Sequence, residues 1–243
     1  MPHFSATAVL LDVEGTTSSI SFVTDVLFPY AAARVEGFLQ ATWDEPATRR
    51  ALELIARDAD KDSWEKWSAD RDPQQALDLV LQEVRRLMAG DVKATGLKEL
   101  QGLIWRGGFE SGELQSHVYD DVPPWLAECQ RRGVPVRIYS SGSIAAQQLF
   151  FAHTVRGNLL PYLSGHYDTT TGPKRDKASY AKIAADYDYP PDAILFASDI
   201  VAELDAARAA GMQTVLLVRP ENAAAEGHPH PVAHDFARII LSG

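Results

Sequence analysis

Cysteine is almost absent from the sequence: Cys129 is the single one among 243 residues. One thiol cannot form a framework of intrachain disulfides. Because it lies among apolar neighbours, we interpret it as a packed core thiol and not as a nucleophile. Long apolar runs are absent too, since no stretch approaches the ~18 uninterrupted apolar residues that span a bilayer. We therefore expect a protein without a membrane-spanning helix.

Basic residues are also fewer than acidic ones, with 23 Lys and Arg against 33 Asp and Glu. The net charge is -10 and the pI is near 5.1. This balance disfavours nucleic acid or an anionic membrane as a partner, because most of the surface would repel both. A small anionic substrate would need a lysine or a bound metal to supply positive charge locally. The first residues lack the basic region and apolar segment of a secretory signal, so we expect a cytoplasmic protein.

Two common catalytic motifs are missing as well. The chain contains neither G-x-S-x-G nor G-x-x-x-x-G-K-[ST], which leaves the serine-hydrolase and P-loop interpretations without support. What is present is an ordinary globular composition, with 46% hydrophobic and 23% charged residues. The length suits one large domain, or a core domain with a smaller second one.

The most informative stretch lies near the start of the chain. An apolar run at residues 8–11 is followed by Asp12, Glu14 and Gly15. Such a run is typical of a strand buried on both faces, as in parallel sheets. Ligands of parallel α/β sheets bind just beyond the carboxyl ends of the strands. The stretch indicates an active site. Asp12 as a turn residue and Glu14 as a solvated residue would explain the same sequence without one.

The remaining pattern divides into a helical part and an alternating part. Helical spacing predicts helices at about 20–43, 46–58, 73–89 and 94–106, without a strand between about 20 and 117. Strands are then predicted at 134–139, 165–168, 193–197 and 214–218, alternating with helices at 123–133, 144–153, 177–187 and 201–210. The predicted fold is α/β, a doubly wound (Rossmann-like) parallel sheet with an inserted helical cap. We place the core at 1–18 and 119–243 and the cap at 19–118.

Polar residues at the predicted strand ends form a chemically coherent set. Asp12, Ser140, Lys174 and Asp199 each lie at a strand end or in the loop after it. Carboxyl ends of parallel strands meet at one edge, so these side chains are expected to converge. Carboxylate and carbonyl oxygens suit Mg²⁺, and Ser140 and Ser141 with nearby amides suit phosphate. Each residue alone has a turn or cap explanation, but the four together are hard to explain that way.

The residue types also indicate a different chemical role for each residue. Asp12 is a candidate nucleophile, since carboxylates form covalent intermediates with phosphate. Glu14, two residues on, is placed to act as acid or base on the leaving oxygen. Lys174 supplies a point charge, with Lys177 as a competitor for that role. Glu203 and Asp205, on the helix after Asp199, either support the site residues or are solvated, and we favour the solvated interpretation.

These motifs resemble a known superfamily. Asp12-x-Glu14-Gly15-Thr16, Ser140-Ser141, Lys174 and Asp199 resemble the four motifs of the haloacid-dehalogenase-like phosphohydrolases, and the helical insert resembles their cap domain. More narrowly, the segments 11–17, 25–30, 100–105, 139–143 and 165–169 resemble the enolase-phosphatase (acireductone synthase) family of methionine salvage. The resemblance covers nearly the whole chain.

The resemblance implies a specific reaction. Members of the family convert 2,3-diketo-5-methylthiopentyl-1-phosphate, by enolisation and then dephosphorylation, to the acireductone 1,2-dihydroxy-3-keto-5-methylthiopentene. It implies one Mg²⁺ held at Asp12, Glu14 and Asp199, substrate binding by Ser140, Ser141 and Lys174, catalysis by Asp12 and Glu14, and a monomer. Most relatives in the wider superfamily carry aspartate where this chain has Glu14. The longer side chain is expected to serve enolisation.

Other functions fit the sequence less well. A signalling receiver domain also uses a strand-end aspartate and a lysine, but needs only about half this length and no helical insert. A dehalogenase does not need the carboxylates Glu14 and Asp199. A metal site at His228, His230 and His234 is disfavoured, because the neighbouring prolines make an extended, solvated loop.

Overall fold

The structure, a computed structural model, describes residues 1–90, 92, 94–222 and 225–242. Its strands are β1 His3–Phe4, β2 Ala8–Leu11, β3 Val136–Tyr139, β4 Gly165–Tyr167, β5 Ile194–Ser198, β6 Gln213–Leu217, β7 Val232–Ala233 and β8 Ile240–Leu241. Its α-helices are α1 Phe28–Thr42, α2 Pro46–Asp58, α3 Trp64–Ser68, α4 Pro73–Ala89, α5 Thr95–Glu110, α6 Val122–Arg131, α7 Ile144–Ala152, α8 Lys177–Tyr187 and α9 Val201–Ala209.

A six-stranded sheet in the order β4-β3-β2-β5-β6-β7 forms the centre of the α/β part. Every neighbouring pair in it runs parallel. The predicted fold class, a doubly wound parallel sheet with flanking helices, is confirmed. A second sheet pairs β1 with β8, also in parallel.

The two central strands are apolar throughout because both of their faces are covered. All residues of β2 and β5 are buried. On one face, Leu10 and Phe196 pack in one apolar cluster with Ile183 of α8 and Leu204 of α9. Continuous apolar runs, rather than alternating ones, are what such two-sided burial requires.

The strand order creates a crevice beside β2. The chain passes from β2 to β3 on one side and later returns to β5 on the other side. Loops leaving neighbouring strands in opposite directions separate at such a switch point, and ligands of α/β sheets bind there. The carboxyl ends of β2 and β5 therefore mark the place where the functional side chains are expected.

Two compact units make up the chain. One comprises Met1–Val23 with Gln115–Gly243, and the other comprises Thr24–Leu114. The second unit has its own core, in which Leu39, Leu52 and Leu100 are fully buried. Its limits lie a few residues inside the predicted cap segment 19–118, whose role as a cap stays a prediction.

The helix predicted at 20–43 is divided in the structure. Residues Phe22–Leu27 form a π-helical segment, and Pro29 lies in the first turn of α1, where its missing amide hydrogen is not needed. Two-residue strands such as β1 and β7 were not predicted, since they are too short to show a period. Within the described ranges, no helix is long and apolar enough to cross a membrane.

Candidate active site

Asp12 lies directly after the central strand and is anchored by the sheet. Its amide donates to the carbonyl of Ala197 at 3.0 Å, which continues the pairing of β2 with β5. The side chain is buried. The Lys174 ammonium group donates to its Oδ1 at 2.5 Å, and Ser198 Oγ lies 3.5 Å from its Oδ2. The carboxylate is therefore held in one orientation by the loop before α8 and by the last residue of β5.

Lys174 is brought to Asp12 by the loop that precedes α8. Three hydroxyl groups donate to three successive carbonyls of this loop: Tyr139 to Gly172 at 2.8 Å, Ser179 to Pro173 at 2.8 Å and Tyr180 to Lys174 at 2.7 Å. These bonds fix the backbone from which the lysine extends. The competing residue, Lys177, is exposed in the first turn of α8.

The loop after β2 turns back on itself. The carbonyl of Val13 accepts hydrogen bonds from the amides of Thr16, Thr17 and Ser18. Gly15 occupies the left-handed region with φ +72°, and a Cβ atom there would lie 2.6 Å from Cγ of Asp199. Glycine is required here because its backbone packs directly on the Asp199 carboxylate.

The loop after β3 carries the predicted phosphate-binding serines. Ser140 is buried, and its Oγ lies 3.4 Å from Glu14 Oε2 and accepts from the Gly142 amide at 3.2 Å. Ser141 is partly buried beside it. Ser143 caps α7 by accepting from the Ala146 amide at 3.2 Å.

The pKa values of the acids at this edge reflect burial and mutual repulsion. Burial, followed by the charge of Asp12, raises the pKa of Glu14. The same two causes raise the pKa of Asp199 to about 7. A carboxyl with a raised pKa can donate a proton near neutral pH, which a solvated one cannot.

Glu203 is a functional residue that the sequence interpretation missed. It was expected to be solvated, but its side chain is buried and its Oε2 lies 2.7 Å from Lys174 Nζ. It also accepts from Ser198 Oγ at 3.1 Å, and burial followed by the charge of Asp12 raises its pKa to about 7. One signal was available: Glu203 lies in the first turn of the helix that directly follows the strand-end residue Asp199. Asp205, by contrast, is half exposed.

The donor set fits a divalent cation. Asp12, Glu14, Asp199 and Glu203 are carboxylates, and the ammonium group that contacts Asp12 and Glu203 is that of Lys174. Asp199 Oδ1 is buried and has no hydrogen-bond partner among the described residues. An excess of oxygen donors over positive charge, with one carboxylate oxygen unpartnered, is the environment that Mg²⁺ accepts.

The Glu14 side chain is not part of a closed ligand cage. Across the described part of the chain, no three His, Cys, Asp or Glu residues are grouped as a metal site. The Glu14 carboxylate is directed to Ser140. Within the same ranges, the main-chain oxygen of Glu14 accepts no hydrogen bond from another main-chain amide, so it is available to a cation.

The histidine loop differs from its prediction. The side chain of His230 is fully buried, with Nδ1 2.8 Å from Thr214 Oγ1 and Nε2 3.2 Å from Asp205 Oδ1. The prediction that this loop is solvated is therefore wrong at His230. The physical reason is that the segment returns to pair as β7 with β6, which carries Thr214.

Comparisons with known proteins show what the chain is similar to. Residues 6–211 match the family model described as a haloacid dehalogenase-like hydrolase. "Enolase-phosphatase E1" of Alcanivorax borkumensis is 47% identical, over 97% of this chain and 98% of the relative. The protein of the same name from Drosophila virilis is 43% identical, over 98% of this chain and 97% of the relative.

Solved structures give the same fold. The UTR4 protein of Saccharomyces cerevisiae superimposes with a TM-score of 0.78 at 33% identity, covering 96% of this chain and 99% of that one. CbbY of Rhodobacter sphaeroides, solved with xylulose-1,5-bisphosphate, has a TM-score of 0.57 at 17% identity, over 96% of each chain. The second likeness concerns the fold alone.

Proposed function

The chain belongs to the haloacid dehalogenase-like hydrolases and among them to the enolase-phosphatases, and we propose the following roles for its residues in catalysis. The enzyme converts 2,3-diketo-5-methylthiopentyl-1-phosphate, by enolisation and then dephosphorylation, to the acireductone 1,2-dihydroxy-3-keto-5-methylthiopentene in methionine salvage. The observation that carries the site assignment is the Lys174–Asp12 contact of 2.5 Å at the carboxyl end of the central strand.

Asp12 is proposed as the nucleophile of the phosphatase step. Lys174 holds Oδ1 of its carboxylate, which leaves Oδ2 to attack phosphorus. The new Asp12 oxygen–phosphorus bond forms as the bond from phosphorus to the enol oxygen breaks. Water then attacks phosphorus, which releases inorganic phosphate and restores the carboxylate.

Glu14 is proposed as the acid and base of that step. Burial raises the pKa of its carboxyl, so a protonated Glu14 is available to the leaving enol oxygen. The resulting carboxylate then accepts a proton from the attacking water. One group thus serves both halves of the step.

Ser140, Ser141 and Lys174 are proposed to bind the phosphoryl group. The Ser140 hydroxyl lies beside Glu14 Oε2, and the amide groups at the start of α7 follow in the same loop. Helix N-termini and hydroxyl groups bind phosphate oxygens well. The lysine adds a charge that remains positive between Asp12 and Glu203.

Mg²⁺ is the cofactor proposed for this site. The carboxylates of Asp12 and Asp199 and the main-chain oxygen of Glu14 would hold it. When bound, the ion supplies positive charge that stabilises both the phosphoryl oxygens and a developing enolate. The unpartnered Oδ1 of Asp199 supports this assignment.

The proposal also covers the cap domain, the oligomeric state, the cellular location and the partners. Residues 19–118 serve as the cap domain, which is supported by the separate compact core of Thr24–Leu114. The enzyme works as a monomer in the cytoplasm and has no nucleic-acid or membrane partner. The net charge of -10 supports the absence of a polyanionic partner. Sedimentation equilibrium tests the monomer directly.

One experiment tests the central assignment. The protein is incubated with the diketo phosphate and Mg²⁺ while enol absorbance and free phosphate are followed together. We expect an enol intermediate before phosphate, and no phosphate from Asp12→Asn, which keeps the fold. The exposed Asp192→Asn variant is the matched control and keeps full activity. Phosphate release without an enol intermediate would refute the enolase assignment.

A further inference from the structure

Two carbonyl groups of the loop after β2 are not used by the loop itself. The turn closes through the carbonyls of Val13 and Ser18, which accept the hydrogen bonds internal to it. The carbonyls of Gly15 and Thr16 point elsewhere. Each is bonded to a side chain from the segment that follows β6, at the other side of the crevice.

Asn222 holds the first of these carbonyls. Its Nδ2 donates to the oxygen of Gly15 at 2.8 Å and lies 3.4 Å from the oxygen of Leu217, at the end of β6. One amide group therefore ties the turn after β2 to the end of β6, two strands away in the sheet. A rigid strand end is a firm anchor, because its own backbone is held by ladder hydrogen bonds.

Arg219 holds the second carbonyl. Its Nε donates to the oxygen of Thr16 at 2.9 Å, while Nη1 donates to both carboxylate oxygens of Asp121 at 3.0 Å. The guanidinium group is buried and lies 4.2 Å from the ring centroid of Tyr119. A planar guanidinium fixed by an ion pair and an aromatic ring holds its Nε–H group in one direction.

The turn that these two residues hold is in contact with the catalytic carboxylates. The Gly15 backbone packs on the carboxylate of Asp199, and Glu14 is the preceding residue. A small shift of the Gly15 peptide therefore moves both acids. Misplacement of a catalytic group by about 1 Å can cost on the order of 10²-fold in rate.

We propose that Arg219 and Asn222 are positioning residues, which fix the Gly15–Thr16 turn and thereby the placement of Glu14 and Asp199 for catalysis. The inference rests on the proposed function, since it assigns these residues to the same site. Among the described residues, neither Arg219 nor Asn222 forms a hydrogen bond with Asp12 or Lys174. Their effect is thus on geometry.

Asn222→Leu is the principal test, because leucine has a similar volume and no hydrogen-bond donor. With the diketo phosphate and Mg²⁺, we expect kcat to fall by about 10²-fold, KM to change far less, and the thermal midpoint to stay close to that of the unaltered enzyme. Asn222→Asp, which keeps the shape but cannot donate to Gly15, is expected to lose activity as well. Arg219→Lys should retain more activity than Arg219→Met.

Gln213→Leu provides the matched control. Gln213 stands at the opposite end of β6, and its Nε2 likewise donates to a main-chain carbonyl, that of Asp192, at 2.6 Å. We expect this variant to keep kcat. The inference is overturned if Asn222→Leu keeps kcat, if Gln213→Leu loses as much, or if the loss only follows the unfolded fraction.

Hydrogen exchange gives a second readout that does not depend on the substrate. Amides in residues 15–18 should exchange faster in Asn222→Leu than in Gln213→Leu, and equal rates would refute the inference. An unaltered enzyme that fails on the diketo phosphate would refute the proposed function instead. The exchange rates and the hydrolysis of a generic phosphate ester would then still decide the role of Asn222.

Discussion

Glu203 Oε2 lies 2.7 Å from the ammonium nitrogen of Lys174, whose other partner is Oδ1 of Asp12 at 2.5 Å. Burial by itself lowers the pKa of Lys174, but the charges of the two carboxylates outweigh it and the pKa is raised. Lys174 is therefore a permanent cation with an electrostatic role, and a general base must be sought elsewhere.

Glu203→Gln should reduce phosphate release by about 10- to 100-fold, the usual effect of removing a partner that orients a site group. The physical reason is that Lys174 would keep one carboxylate partner instead of two and would no longer be fixed beside Asp12. Steady-state kinetics with the diketo phosphate measures the effect. Asp205→Asn, on the same helix but half exposed, is the control. Equal activity of the two variants would contradict the assignment.

Lys174→Met should destabilise the fold by about 3 kcal/mol, because removal of one partner leaves buried carboxylates unpaired. Urea denaturation in the presence of EDTA measures the free energy of unfolding without bound metal. Lys177→Met replaces an exposed lysine three residues away, and a change within about 0.5 kcal/mol is expected for it. Similar values for both variants would show that Lys174 is not paired as described.

Glu14→Asp should damage enolisation more than phosphate release. The shorter side chain withdraws its carboxyl from Ser140 by one methylene, whereas the Asp12–Lys174 pair is untouched. Enol absorbance and free phosphate, recorded in one reaction, separate the two steps. Ser140→Ala serves as the comparison, since it removes the hydroxyl and keeps the full length of Glu14. If Glu14→Asp slows both steps equally, the glutamate has no special part in enolisation.

Mg²⁺ should raise the thermal midpoint of the protein, and EDTA should abolish turnover. A ligand that binds the folded state at 100 times its Kd stabilises it by about 2.7 kcal/mol. Asp199→Asn should lose this stabilisation, because the replaced carboxylate carries the unpartnered oxygen. NaCl at matched ionic strength controls for screening between the acids. An equal rise with NaCl would argue against a specific site.

His230 should make stability depend on pH below neutrality. Burial, opposed in part by its hydrogen bond to Asp205, lowers its pKa below the ordinary 6.5. As the pH falls below 6.5, the unfolded chain binds a proton that folded His230 does not, so stability is lost as the pH falls through the lowered pKa. His230→Asn should show a shallower decline of the free energy of unfolding, measured by urea denaturation, between about pH 7.5 and 5.5, a window that spans the ordinary histidine pKa of about 6.5.

His3→Asn is the control for this pH dependence, because His3 is exposed. The pKa values of His117 and His166 are also lowered by burial, but both residues remain in every protein compared. The difference between curves therefore reports His230. Parallel curves for the His230→Asn variant and the unaltered protein would refute the prediction.

The strands and long helices could be predicted closely from local pattern. Predicted strand 8–11 matches β2, and the predicted helices 46–58 and 73–89 match α2 and α4. Runs buried on both faces and amphipathic runs of several turns carry a strong periodic signal. The two-residue strands β7 and β8 carry none, because their position depends on partners far away in the chain.

The parallel sheet, the helical insert and the set of strand-end residues could be predicted from the sequence alone. The periodicity of apolar residues and the order of the elements can both be read directly along the chain. The resemblance favoured Lys174 over Lys177, but the contact of Lys174 with Asp12 comes from the tertiary structure, because three hydroxyl groups from β3 and α8 fix the loop that carries Lys174. Only the tertiary structure revealed the buried Glu203 and the hold of Asn222 on Gly15. Such contacts join segments that are distant in sequence, and no local pattern records the distance between two side chains.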